Sequence, residues 1–172
     1  MTLSNLSTLV RDVPDYPKPG IMFKDITPVL ADAAAFADAI EQLAQPFLGQ
    51  HIDVVLGIEA RGFMFAAPMA LRLAAGFVPV RKPGKLPRTV DRVEYALEYG
   101  SDAVEMHRDA LAKGARVLIV DDVIATGGTA AAAVKLAKGQ GAEVVAATFL
   151  IELTFLHGAE KLGVPSVSLL RY

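Results

Sequence analysis

The chain contains no cysteine and no tryptophan among its 172 residues. Without cysteine there are no disulfides, no thiolate nucleophile, no Cys-ligated zinc and no iron–sulfur cluster. Histidine is scarce as well. His51, His107 and His157 are widely spaced and form neither H-E-x-x-H nor H-x-x-E-H, so their spacing supplies no transition-metal site. Charge of either sign is not in large excess, with 17 Lys+Arg against 19 Asp+Glu and a net charge of −2. Domains that neutralise many duplex phosphates carry an evident basic surplus, so no nucleic-acid partner is expected. Long apolar runs are missing too. A membrane-spanning helix needs about 20 apolar residues, and the nearest stretch, Phe63 to Val80, is broken by Arg72, Pro68, Pro79 and Gly76. The opening MTLSNLSTLVRDVPDYP is interrupted by Arg11, Asp12 and Asp15 and does not read as a secretory signal. A cytoplasmic protein without membrane association is the expectation.

What is present is a core. Hydrophobic residues make up 53% of the chain, far above the level of a disordered segment. A single domain over residues 1–172 is expected, burying roughly 70% of the surface of its unfolded chain. Leu3, Leu6 and Val10 recur at helical spacing, and the proline-rich Val13 to Gly20 predicts an irregular loop. Asp32 can cap a helix that places Phe36, Ile40, Leu43 and Phe47 on one face. Further on, short apolar runs read as strands at 53–57, 77–80, 116–120, 144–151 and 166–170, with helices at about 63–75, 129–140 and 154–162 between them. Alternation at 92–98 and again at 103–107 suggests a hairpin. Strands alternating with helices, several of them apolar throughout, predict an α/β fold with a mostly parallel central sheet flanked by helices.

The most informative segment is VLIVDDVIATGGT, Val117 to Thr129. A buried strand delivers Asp121 and Asp122 to its carboxyl end, where open α/β sheets bind ligands. A turn rich in glycine and threonine then opens a helix. Gly127 and Gly128 let backbone approach an anion, the first-turn N–H groups are unpaired, and the hydroxyls of Thr126 and Thr129 add donors. That combination is a phosphate cradle, and the two acids can accept hydrogen bonds from sugar hydroxyls or touch a Mg²⁺ through its waters. Competing motifs are absent: no G-x-G-x-x-G occurs, and Gly57 to Gly62, which has P-loop spacing, is followed by Phe63 rather than Lys.

VLIVDDVIATGGT resembles the phosphoribosyl pyrophosphate signature of the type I phosphoribosyltransferases. DYPKPGIMFKDITPVL (Asp15 to Leu30), GIEARGF (Gly57 to Phe63), RKPGKLP (Arg81 to Pro87) and LEYG (Leu97 to Gly100) are similar to the members of that family that act on adenine. The resemblance implies the family's fold, with a base-binding segment at about 1–30 and a lid hairpin at about 81–105. It implies purine salvage, in which adenine and 5-phosphoribosyl 1-pyrophosphate become AMP and pyrophosphate with Mg²⁺ as cofactor. The bare signature leaves open a regulatory protein of the same fold or a transferase for xanthine or guanine.

Residue by residue, the resemblance puts the 5-phosphate on Ala125, Thr126, Gly127, Gly128 and Thr129, and the ribose hydroxyls on Asp121 and Asp122. It sets Arg61 on the pyrophosphate, with Arg81, Lys82 and Lys85 reaching it from the lid. Phe23 is the ring expected to stack on adenine, with backbone groups of Met22 and Lys24 reading its edge. Glu98 is the expected proton-handling group and Tyr99 its neighbour. No direct protein ligand to Mg²⁺ is implied; the ion is carried mainly by pyrophosphate, with Asp121 and Asp122 the residues near enough to touch it. A homodimer follows from the same resemblance. Residues 81–92 hold five cations and one acid, a local +4 that leaves −6 for the rest of the chain.

Overall fold

The computed structural model describes residues 3–97 and 100–172. Two compact units divide the chain, Met1–Gln42 and Leu43–Tyr172. In the first, α1 (Leu3–Leu9) leads to β1 (Arg11–Val13) and β2 (Phe23–Asp25), then α2 (Thr27–Ala31) and α3 (Ala33–Ala44), the last crossing the division. β1 and β2 pair antiparallel, Val13 opposite Phe23, so the proline-rich segment expected to be irregular is the loop of a small hairpin. That loop is tied by the Gly20 amide donating to Asp15 Oδ1 at 2.8 Å, with Gly20 at φ +86, a conformation that costs glycine nothing. Asp32 caps α3 as its side chain predicts, Oδ1 accepting from the Ala35 amide at 2.8 Å. Leu6, Ile26, Val29, Ala35, Ala39 and Ile40 are buried.

The second unit is an α/β sheet. Its elements are β3 (Val54–Ile58), α4 (Gly62–Arg72), β4 (Gly76–Val80), β5 (Val90–Ala96), β6 (Ser101–His107), β7 (Arg116–Ile124), α5 (Gly128–Gly139), β8 (Glu143–Glu152) and β9 (Ser166–Arg171). Five strands pair in parallel in the order β4-β3-β7-β8-β9, and β5 with β6 forms a separate antiparallel hairpin. Val55, Leu56, Val117 to Val120 and Ala146 to Ile151 are all buried, as a sheet covered on both faces requires. From β3 the chain crosses to β4, and from β7 it crosses the other way to β8. Right-handed crossovers in opposite directions put α4 and α5 on opposite faces and make the β3/β7 boundary the switch point of the sheet.

One expected element is different. The helix predicted over 154–162 is two short 3₁₀ turns, Thr154–Leu156 and Ala159–Lys161. His157 between them has φ +52, and a Cβ on Gly158 would lie 2.2 Å from the Ala125 carbonyl oxygen. Contact with the loop after β7 therefore outweighs the local helical pattern. Among the described residues no helix is long and apolar enough to cross a membrane.

Candidate functional site

The loops that leave β3 and β7 at the switch point build the site. β7 carries Asp121 and Asp122 three and two residues before its end, so one strand sets both carboxylates. Asp122 is only 4% exposed, and its Oδ2 lies 2.7 Å from Arg61 Nε in the loop after β3. Asp121 Oδ1 accepts from the Asp122 amide at 2.9 Å. Only glycine fits at the start of α4: a Cβ on Gly62 would stand 2.7 Å from Asp121 Oδ1 and 2.9 Å from the Val120 carbonyl. The Glu59–Ala60 peptide is cis.

Burial, followed by the neighbouring Asp122 charge, pushes the Asp121 carboxyl well above the usual carboxylate range. An acid whose folded value is raised binds more protons folded than unfolded, so its contribution to stability is present below its unfolded value and is lost as pH rises through the folded one. Asp121→Asn removes that loss. The variant is expected to melt above the parent at neutral pH, with the gap closing toward pH 4. Thermal melts across pH 4–8 check this, and a parent that melts higher at pH 7 contradicts it.

Beyond Ile124 the chain turns through Ala125 to Thr129 into α5. Gly127 has φ +79, and a Cβ on it would lie 2.3 Å from the Gly158 carbonyl oxygen. The loop encloses a hollow of about 100 Å³ lined by Asp121 and by residues 123–130. Its floor is the start of α5, whose first-turn N–H groups have no partner within the helix. Lys161 Nζ donates to the Thr126 carbonyl at 2.9 Å and braces the outer side.

The basic segment after β4 is less open than its composition suggests. Arg81 donates from Nε and Nη2 to Glu59 at 3.1 and 3.3 Å, and the Lys82 amide donates to the same carboxylate at 2.9 Å. Burial raises the Glu59 carboxyl, but these bonds outweigh it and hold the group below its ordinary value. The buried Glu105 accepts from the Gly84 amide at 3.0 Å and pins the turn. Lys82 Nζ bonds to Asp102 and, at 3.0 Å, to the Tyr95 hydroxyl. Desolvation pulls the Lys82 ammonium down, yet those two bonds prevail and its pKa lies above the ordinary value. Arg88 pairs with Asp109 and Arg92 with Glu94. Lys85 is exposed, its carbonyl accepting from Arg81 Nη1 at 3.4 Å.

Arg61, Asp121, Asp122 and the Ala125–Thr129 loop are thus brought together as one site, with Arg81 and Lys82 anchored on Glu59. Met22, Phe23 and Lys24 belong to the other unit. There Phe23 is half-buried and meets Tyr16 edge-to-face at 5.1 Å, Met22 is 49% exposed, and Lys24 Nζ lies 2.5 Å from Asp12 Oδ1. Glu98 and Tyr99 lie outside the described residues. Sequence reasoning assigned nothing to Glu59, Tyr95, Asp102, Gly158 or Lys161. Only Glu59 had a local signal, its place inside GIEARGF.

Residues 24–161 match the phosphoribosyl transferase domain, and the chain belongs to that family. Within the family it is similar to the adenine phosphoribosyltransferase of Roseiflexus sp. (strain RS-1), 55% identical over 98% of this chain and 99% of the relative. Among solved structures, adenine phosphoribosyltransferase from Thermoanaerobacter pseudethanolicus superposes with a TM-score of 0.97 at 53% identity, covering 99% of this chain and 100% of that one. The enzyme from Saccharomyces cerevisiae, complexed with an imino-altritol bisphosphate and adenine, has a TM-score of 0.93 at 40% identity over 97% of both chains. The parallel sheet with a separate hairpin is the type I phosphoribosyltransferase fold expected from the central motif.

Proposed function

We propose that the chain is the purine-salvage enzyme that transfers the 5-phosphoribosyl group from phosphoribosyl pyrophosphate to N9 of adenine, releasing AMP and pyrophosphate. One observation carries this reading. The paired carboxylates of β7, the anion cradle behind them and the Arg61 guanidinium opposite them converge at the sheet's switch point, and a relative 55% identical over 98% of the chain is an adenine phosphoribosyltransferase. A regulatory protein of this fold or an enzyme for xanthine or guanine has no comparable support.

N9 attacks C1′ as the bond from C1′ to the pyrophosphate oxygen breaks, and the bonding electrons leave with pyrophosphate. The site has to meet negative charge at one end and a cation-like ribose at the other. Arg61, with Arg81, Lys82 and Lys85, serves the departing pyrophosphate. Asp121 and Asp122 face the ribose hydroxyls, and Ala125 to Thr129 hold the 5-phosphate with backbone amides and hydroxyls. Phe23 stacks on adenine, Met22 and Lys24 read its edge through backbone groups, and Glu98, beside Tyr99, takes the proton that N9 gives up. Closure of the hairpin excludes water from the cation-like sugar.

Mg²⁺ fits this donor set as an ion carried by the substrate. Asp121 and Asp122 supply at most two carboxylates, and no group of three or more acidic, histidine or cysteine side chains among the described residues could hold a metal. When bound, it neutralises charge on the departing pyrophosphate. The family resemblance also supports a cytoplasmic homodimer. Incubating the protein with phosphoribosyl pyrophosphate, Mg²⁺ and each of adenine, guanine, hypoxanthine and xanthine is expected to give AMP as the dominant product. A preference for another purine, or no nucleotide at all, overturns the reading.

A further inference from the structure

We propose that Tyr95 is a positioning residue that couples occupancy of the Ala125–Thr129 cradle to the placement of Lys82. This rests on the reading of that loop as the 5-phosphate site. Three partners meet at the Tyr95 hydroxyl. Lys82 Nζ donates to it at 3.0 Å, the Thr129 hydroxyl donates to it at 3.0 Å, and it donates in turn to Asp102 Oδ2 at 3.2 Å. A phenolic oxygen has one proton and accepts two hydrogen bonds, so Tyr95 is saturated. Its ring also covers the start of α5, where a Cβ on Gly128 would stand 3.0 Å from Tyr95 Cδ2. The Lys82 ammonium is 5.6 Å from the ring centroid but 3.0 Å from the oxygen, so it sits at the hydroxyl end.

The chain of bonds has a direction. As it stands, the single Thr129 proton points to Tyr95. A phosphate in the cradle is an acceptor and competes for that proton. Once Thr129 donates to phosphate, its oxygen is free to accept, and Tyr95 can serve it by turning its own proton away from Asp102. Asp102 is then left to the Lys82 ammonium, with the Tyr95 oxygen still accepting from Lys82. Filling the cradle therefore tightens the Lys82–Asp102 pair and fixes a cation of the pyrophosphate end before chemistry begins. No proton is transferred; only the sense of donation reverses.

The test is direct binding of ribose 5-phosphate, which fills the cradle without turnover, measured by calorimetry on the full chain. Lys82→Met is expected to weaken binding several-fold, although Lys82 is bonded to Tyr95 and Asp102 and not to the loop. Tyr95→Phe is expected to weaken it by about 5–20-fold, the size of a lost hydrogen bond to a charged network, and Lys82→Met is expected to add less than two-fold in that background. In turnover, Tyr95→Phe is expected to raise the KM for phosphoribosyl pyrophosphate by a similar factor and that for adenine by less than two-fold. Additive effects of the two substitutions, or equal rises in both KM values, overturn the proposal. Should Tyr95→Phe fold poorly, Thr129→Val and Thr129→Ser decide it: only the serine variant, which keeps the hydroxyl, is expected to retain the response to Lys82→Met. Wild-type protein that makes no AMP defeats the functional reading alone, because the binding cycle needs no catalysis.

Discussion

Gly127→Ala is expected to abolish useful turnover, with the KM for phosphoribosyl pyrophosphate raised by about two orders of magnitude or more and a lower melting temperature. Two costs combine at this position. The backbone is left-handed at φ +79, which disfavours a residue carrying a Cβ by about 1–2 kcal/mol. The added Cβ would also lie 2.3 Å from the Gly158 carbonyl oxygen, a backbone atom that cannot swing aside. Relief requires the Ala125–Thr129 turn and the 157–158 turn to separate, which opens the cradle on its outer side. Steady-state kinetics with both substrates varied, together with thermal denaturation, check this. A KM within three-fold of the parent means that the close approach of the two turns does not shape the proposed phosphate site.

Arg61→Gln is expected to lower kcat by about 10²–10³, the usual size of removing one donor aimed at charge developing in a transition state. The loss has a second component. Asp122 is buried with 4% exposure and lies 2.7 Å from Arg61, beside an Asp121 already disfavoured as an anion. Removing the guanidinium leaves a buried carboxylate without its counter-charge, a loss smaller than the roughly 3–5 kcal/mol of a fully buried pair because the Arg61 side chain is 46% exposed. Pre-steady-state measurement of pyrophosphate release and a pH series of melts separate the two components. The catalytic loss is expected at every pH, while the stability loss shrinks in acid as Asp121, whose carboxyl the Arg61 charge holds down against burial, takes up its proton. A variant with parental kcat removes Arg61 from the pyrophosphate end.

Much of the architecture was legible in the residues because burial writes itself into local pattern. Arg116 to Val120 is apolar after its first residue, and only a strand covered on both faces needs that. Asp32 and the face formed by Phe36, Ile40 and Leu43 announced α3, while Phe47, expected on the same face, falls in the 3₁₀ turn Gln45–Phe47 that follows it. The candidate site was legible where its chemistry is contiguous in the chain: a strand, two acids and a glycine turn follow one another within thirteen residues. The helix expected at 154–162 failed for the opposite reason. Its local pattern is helical, but Gly158 is held against Ala125 by a contact more than thirty residues distant in the chain.

Charge illustrates the same divide. In the sequence, residues 81–92 are a basic segment of local +4 within a chain of net −2. In the fold, Arg81 lies on Glu59, Lys82 on Asp102 and Arg88 on Asp109, so most of that charge is already met by acids from other elements. Phosphate groups of a substrate must share these cations with the carboxylates that already hold them in place. Composition counts charges and cannot say which ones meet.

The sequence by itself determined the fold class, the strand that carries Asp121 and Asp122, the glycine–threonine turn that opens α5 and, through its motifs, the family. Those features rest on residue types at short spacing, where hydrophobic period, glycine conformation and helix-start chemistry act locally. Tertiary structure alone decided that Arg61 lies on Asp122, that Gly158 closes the outer side of the cradle, and that Tyr95 joins Thr129 to Lys82 and Asp102. Each of these brings together groups from different elements, and only the closed packing of the sheet with its crossing helices and hairpin fixes which of many polar side chains come within hydrogen-bond reach.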